Sequence, residues 1–271
     1  MLAKQNNLIS IIIVSLNTKN EFVKTLNSAY EQTYIEKEII VIDGLSTDGT
    51  TQKIKKNKNK ISKFIIKKDK NIYDAMNKGS KLASGNWIIF LNSGDIFFDK
   101  RVLSRIFNNL MLRRGIIFGD TVVAANKNLK YIRKGKFFLK NTVTMPFCHQ
   151  SAIVSAEIIK KNKFLINYNY SSDFDFFIKC FIKKEVFYKS NIIISTITAN
   201  GLSDNNRQEV YNENIKILNK NNYNFLIILN LYLLKFLNFF KDIVKLVLPK
   251  LLIIKILELK YFRGLIRKNV N

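Results

Sequence analysis

Residues 90–95, Phe90-Leu91-Asn92-Ser93-Gly94-Asp95, join an apolar run to a carboxylate and lead straight on into Ile96 and Phe97. A bare carboxylate beside so much apolar surface is costly, so Asp95 must be solvated, paired or coordinating a cation. Polar side chains recur at comparable places earlier in the chain: Ser15 and Asn17 after ISIIIV, Asp43 after EIIVI, and Asp69 after FIIKK. The chain carries neither the GxxxxGK[ST] loop nor the GxGxxG turn that cradles phosphates with backbone N–H groups. The remaining way to hold a phosphate at such a place is a divalent cation, Mn²⁺ or Mg²⁺, bound by a carboxylate and by the phosphate oxygens together. Gly94 permits the tight turn and close ligand approach that this needs. The competing reading of Asp95 is an ordinary solvated loop acid.

Parallel strands are the elements able to bring these residues together. Residues 9–14 are a continuous apolar, β-branched run, the pattern of a strand buried on both faces, and residues 38–42, 61–66 and 86–91 read as further strands. Helical patterns separate them at residues 20–31, from the GLSTDGT turn to about residue 57 with Ser46 or Thr47 as N-cap, and at 72–82. Strands alternating with helices predict a doubly wound, mostly parallel sheet, and such sheets bind ligands at the carboxyl ends of their strands. Ser15, Asn17, Asp43, Asp69 and Asp95 all fall at or just beyond those ends and are expected to meet in one crevice. Beyond residue 99 the pattern predicts a helix at 100–112, strands at 115–119, 151–154 and 186–194, a helix opening at Ser171-Ser172-Asp173, and another at 205–221.

Composition sets limits on the rest. With 271 residues and 47% hydrophobic content the chain can build a sizeable core, and disorder is excluded. A formal net charge of +25 predicts attraction to a polyanion without choosing among nucleic acid, anionic lipid and phosphorylated substrate. The lysines are scattered and lack the aromatic interleaving that stacks bases, which argues against nucleic acid. Cys148 and Cys180 fit no zinc or redox spacing and read as reduced thiols. The apolar run at residues 8–16 reads as a strand rather than a signal peptide. Residues 223–262 are dominated by Leu, Ile and Phe, with lysines every five or six residues and Pro249 between two helical pieces. They predict a basic amphipathic extension, 223–271, lying in a membrane interface with its lysines reaching the headgroups; the alternative is a helical cap packed on the core. The expected organisation is a domain over 1–222, with halves at about 8–100 and 101–222, followed by that extension.

The strings IIIVSLN, VIDGLSTDGT, DKNIYDAMNKGSKLASG and FLNSGDIF follow one another in an order and spacing that resembles family 2 glycosyltransferases of the GT-A fold, nearest to bacterial colanic-acid and related surface-polysaccharide transferases. The resemblance is dense over residues 8 to about 100 and sparser to about 215. It implies that Ser15, Asn17 and Asp43 hold the base and ribose of a nucleotide-sugar, that Asp69, Asn77, Asn92 and Ser93 line the same cleft, and that Asp95 binds the cation. The family usually carries two aspartates where this chain has only Asp95, which implies weaker or wetter coordination. It also implies that Asp173, in NYSSDFD, is the base that takes the acceptor hydroxyl's proton, with Asp175 as runner-up. His149, the only histidine, and Arg207 become contacts to acceptor or diphosphate. For Asp43 a turn role, for Asp74 a first-turn helix acid, for Asp173 an N-cap, and for Arg207 a salt bridge to Glu209 or Glu213 stay open beside these roles.

The resulting expectation is an inverting, metal-dependent transferase on the cytoplasmic face of the membrane. It would move a sugar, most simply from a UDP-sugar, to a lipid-linked or surface glycan, with the basic loop at 127–140 and the C-terminal helices docking it on anionic lipid. The alternative of a different class is a non-catalytic membrane or polyanion binder on a transferase fold, favoured by the charge and the missing second aspartate.

Overall fold

The computed structural model describes residues 7–108, 113–125, 129–199 and 201–247. The first part alternates as expected: β1 (Ile9–Ser15), α1 (Lys19–Tyr30), β2 (Lys37–Asp43), α2 (Thr50–Lys56), β3 (Lys63–Ile66), α3 (Ile72–Leu82) and β4 (Trp87–Asn92). The apolar runs of β1, β2 and β4 arise because each of these strands feeds two cores. Ile11 and Ile13 of β1 pack on one sheet face with Phe22 and Leu26 of α1, while Ile12 and Val14 pack on the other with Met76 of α3. Gly79 lets α3 lie directly on β1, because any side chain there would collide with Ile12.

The second part is β5 (Ile96–Phe97), α4 (Val102–Phe107), β6 (Ile116–Ala124), β7 (Lys130–Arg133), β8 (Ala152–Ser155), α5 (Ala156–Lys161), α6 (Ser172–Ile182), β9 (Phe187–Thr198), α7 (Leu202–Asn205), α8 (Arg207–Lys220) and α9 (Phe225–Val247). Among the described residues one nine-stranded sheet runs β3-β2-β1-β4-β8-β6-β9-β5, with β7 paired on β6. The expected mostly parallel sheet is corrected here to a mixed one. Pairing is parallel through β3, β2, β1 and β4, but β8 lies antiparallel to both β4 and β6, and β5 antiparallel to β9. β5 is a two-residue strand, too short for any periodicity to reveal.

Three local expectations change as well. α2 starts after Gly49, whose φ of 99° is left-handed, and not after Ser46 or Thr47. The strand expected at 115–119 continues to Ala124 with a register shift beside Asp120. The helix expected at 100–112 is described as Val102–Phe107, and positions 109–112 lie outside the described residues, as do 126–128 of the basic loop and everything after 247.

α9 packs one stripe inward: Ile228 and Leu231 join the same apolar cluster as Ile215, Ile217 and Leu218 of α8, and Lys235 Nζ donates to Asn212 Oδ1 at 2.7 Å. Its other side leaves Phe225, Leu226, Tyr232, Leu233 and Phe236 exposed. No helix among the described residues is long and apolar enough to cross a membrane.

Candidate active site

Strand register aligns the residues that the sequence singled out. Ser15 pairs with Asp43 across β1 and β2, and Val14 pairs with Asn92 across β1 and β4, so Ser15, Asp43 and Asn92 end three adjacent strands at one level. Beyond them the loops are stitched together. Asn17, with a left-handed φ of 51°, accepts a hydrogen bond at Oδ1 from Thr47 N at 2.9 Å, and its own N–H donates to Ser46 Oγ at 2.8 Å. Asp43 is fully buried and accepts from both Ser46 N at 2.9 Å and Ser46 Oγ at 2.6 Å. Ser15 Oγ and Thr18 Oγ1 are 2.9 Å apart. Asp69 reaches the same place: a Cβ on Gly44 would meet its Oδ2 at 3.2 Å. Burial raises the pKa of Asp69, and nearby Asp74 and Asp43 add to the rise, while an ion pair with Lys78 opposes it. Asp74 itself accepts from Lys70 N in the first turn of α3 and also pairs with Lys78, which suits the helix-acid role left open for it.

The turn after β4 is built differently. Gly94 has a φ of 108° and its N–H donates to Thr25 Oγ1 at 2.8 Å, which fixes the loop on α1. Asn92 Oδ1 and Ser93 Oγ are buried with no hydrogen-bond partner. Asp95 is only 6% exposed, and burial pushes its pKa up to about 6 against the pull of His149 and of a hydrogen bond from Gln150. Gln150 Nε2 donates to Asp95 Oδ2 at 3.0 Å.

The neighbouring residue faces the second acid. His149 Nδ1 lies 3.1 Å from Asp173 Oδ2, and His149 Nε2 is buried without a partner. Asp173 Oδ1 accepts from Tyr73 Oη at 3.1 Å and from Phe174 N at 2.9 Å. Burial and the Asp173 charge hold the Tyr73 phenol well above its ordinary range, so it stays a proton donor to Asp173. Asp173 lies in the first turn of α6 and is not its N-cap, a position taken by Ser171. Glu213 of α8 sets that turn in place by accepting from Asn169 N at 2.7 Å, Tyr170 N at 2.9 Å and Ser171 N at 2.8 Å. Asp175 is buried and paired with Lys179 one turn along.

Two expected contacts are placed elsewhere. The Asn77 amide is occupied on both sides by the backbone of Phe164, donating to its O at 2.8 Å and accepting from its N at 3.1 Å, which makes it a strut beneath the segment leading to α6. Arg207 is exposed and pairs with Asp204 at 3.2 Å, and with neither Glu209 nor Glu213. Gln150, Tyr73 and Glu213 carry the site without having been expected. Gln150 was open to notice as the neighbour of the lone histidine, whereas the three bonds of Glu213 span more than forty residues and leave no local pattern.

Among the described residues no three acidic, histidine or cysteine side chains converge as a self-sufficient metal site. A cation held by one carboxylate and completed by substrate phosphates and water does not require such a set. The orphaned oxygens of Asn92 and Ser93, beside an acid that burial makes reluctant to ionise alone, fit a group that brings charge and hydrogen-bond partners with it.

Residues 10–189 match the model of glycosyl transferase family 2. The chain belongs to that family. A PGL/p-HBAD biosynthesis glycosyltransferase of Mycobacterium bovis is 29% identical over 179 residues, covering 64% of this chain and 69% of that protein. The Escherichia coli UDP-Glc:alpha-D-GlcNAc-diphosphoundecaprenol beta-1,3-glucosyltransferase WfaP is 39% identical over 102 residues, covering 36% of this chain and 40% of the relative. Among solved structures, S. aureus TarS 1–349 in complex with UDP superposes with a TM-score of 0.59 at 17% identity, covering 78% of this chain and 64% of TarS 1–349. The mannosyltransferase PcManGT from Pyrobaculum calidifontis, in complex with GDP-Man and Mn²⁺, gives a TM-score of 0.60 at 13% identity, covering 79% of this chain and 63% of its own. These likenesses establish the GT-A-like α/β fold of this family 2 member, and the chain spans less than two thirds of either solved chain.

Proposed function

We propose that this family 2 member transfers a sugar from a nucleotide-sugar, of the UDP type, to a hydroxyl of a lipid-linked or surface-glycan acceptor, with inversion at the anomeric carbon. The observation that carries the reading is that one dipeptide, His149-Gln150, touches both candidate acids, Asp173 and Asp95. Ser15, Asn17, Asp43 and Asp69 at the strand ends are the candidate nucleotide pocket, and Asn92 and Ser93 supply unpaired oxygens beside it. Asp95 would hold Mn²⁺ or Mg²⁺, which when bound neutralises charge on the leaving diphosphate. On the other side, Asp173 provides the base function for the acceptor hydroxyl.

Support for the donor comes from relatives whose names or complexes carry UDP-Glc, UDP and GDP-Man, and support for a lipid-diphosphate acceptor comes from WfaP. The exposed apolar side of α9 and the net charge of +25 support docking on the anionic cytoplasmic face of a membrane. The test is a thermal-shift screen of UDP, GDP and their sugars with and without MnCl₂, followed by transfer assays and flotation with anionic and neutral vesicles. A shift with GDP and none with UDP overturns the nucleotide assignment. No turnover with any donor, alongside binding to anionic vesicles, favours the non-catalytic binder instead.

A further inference from the structure

We propose that His149 and Gln150 are a positioning pair that sets both acids of the reaction from one rigid point, Gln150 orienting the donor-side acid and His149 the acceptor-side acid. The inference rests on the transferase reading above. Gln150 Nε2 donates to Asp95 Oδ2 at 3.0 Å, and His149 Nδ1 meets Asp173 Oδ2 at 3.1 Å. Asp95 belongs to the turn after β4 and Asp173 to the first turn of α6, so two adjacent side chains span elements far apart in the chain.

A pair can set positions only if it is itself fixed. His149-Gln150-Ser151 form a single 3-10 turn, with Ser151 N donating to Cys148 O at 2.9 Å. Ser151 is fully buried, and its hydroxyl is saturated. It donates to Asp120 O at 3.1 Å and accepts from Thr121 Oγ1 at 2.7 Å, with Ser195 Oγ also at 2.7 Å. One donor and two acceptor positions are all that a hydroxyl has, so the turn is pinned to β6 and β9 with nothing left over. Asp173 is held from its far side by Tyr73 and Phe174 N, which leaves the histidine bond as the contact that fixes how its second oxygen is turned.

The placement has a kinetic signature that packing alone would not produce. A displacement of about 1 Å in a reacting group can cost on the order of 10²-fold in rate. Losing the Gln150 bond frees the donor-side acid and should appear in nucleotide binding. Losing the His149 bond frees the acceptor-side acid and should appear in turnover. The experiment compares Gln150→Leu, His149→Leu and His149→Asn in the full chain, Asn being chosen because its side-chain amide can replace Nδ1–H as donor to Asp173. Calorimetry with UDP and MnCl₂ measures the first effect, kcat and KM for sugar transfer the second, and thermal unfolding confirms that each variant is folded.

Gln150→Leu is expected to weaken UDP binding in MnCl₂ about tenfold or more and to lower kcat by a smaller factor. His149→Leu is expected to change UDP binding far less than Gln150→Leu does and to lower kcat by roughly 10- to 100-fold, with His149→Asn recovering most of the loss. Both leucine variants moving chiefly the same parameter, or His149→Asn as slow as His149→Leu, would overturn the pairing. If Gln150→Leu does not fold, Gln150→Met takes its place under the same criteria. Wild-type protein that binds neither UDP nor GDP in MnCl₂ would remove the transferase reading and the pairing with it, whereas nucleotide binding by wild type without the split in the variants removes the pairing alone.

Discussion

Asp43 closes β2 and Asp95 lies in the turn just past β4, and the two are almost equally hidden, at 0% and 6% exposed, yet their surroundings are opposite. Both Asp43 oxygens are bonded by one residue, Ser46, within a loop that also ties down Asn17. Asp95 has Gln150 on one oxygen, two orphaned neighbours in Asn92 and Ser93, and a pKa pushed up to about 6 by burial. Burial alone therefore does not separate an acid fully bonded within its own loop from one that, on the reading proposed above, takes a ligand. The completeness of its hydrogen bonding does, because an unsatisfied buried polar group costs stability that binding can recover.

Asp173 tests this distinction most severely, since Tyr73 and Phe174 N bond one of its oxygens while the histidine lies against the other. Asp173→Asn should lower kcat by on the order of 10²- to 10⁴-fold with its circular dichroism unchanged. A variant that loses stability and keeps its turnover would instead give Asp173 a purely structural part. Next in size is Glu213, whose carboxylate completes the segment entering α6. Glu213→Gln takes an acceptor from Tyr170 N and Ser171 N and should lower unfolding stability in urea by about 2–4 kcal/mol, with the loss in kcat following from the loosened turn.

The comparison itself predicts opposite signs. The folded pKa of Asp95 lies above the unfolded value of about 4, so the stability it contributes is fully present below that value and is lost as pH rises through 6. In metal-free protein at pH 7.5 the ionised, buried Asp95 costs on the order of 2–3 kcal/mol, and Asp95→Asn should gain that amount, the gain vanishing toward pH 4. Asp43→Asn should lose about 1–3 kcal/mol at pH 7.5 by giving up an acceptor for Ser46. Equal signs in urea titrations of the two variants would erase the distinction drawn here. Arg207→Ala should do least, changing stability by no more than about 0.5 kcal/mol and leaving nucleotide binding as it is in calorimetry, because its exposed pair with Asp204 is screened by water.

The first half was legible because β1, β2 and β4 are buried on both faces and declare themselves as apolar runs, and α3 was readable to its ends at Ile72 and Leu82. From the strand ends, the alignment of Ser15 with Asp43 followed by topology, whereas Asn92 entered only through the family resemblance. The rest was hidden for physical reasons. β8 enters antiparallel between β4 and β6, which no local pattern encodes. Asn77 carries the right chemistry for a ligand but meets a backbone first. Gln150 and Glu213 act across loops on groups that become neighbours only in the folded chain.

The inward stripe of α9 has a practical consequence for anyone preparing this protein. Its greasy outer side invites trimming the chain near residue 222 to improve handling, but Leu231, wholly enclosed, and Ile228 would leave with it. The cut would bare the α8 surface around Ile217 and Leu218 that they cover, exchanging one sticky face for another. A detergent or a lipid nanodisc kept with the intact chain is the gentler remedy.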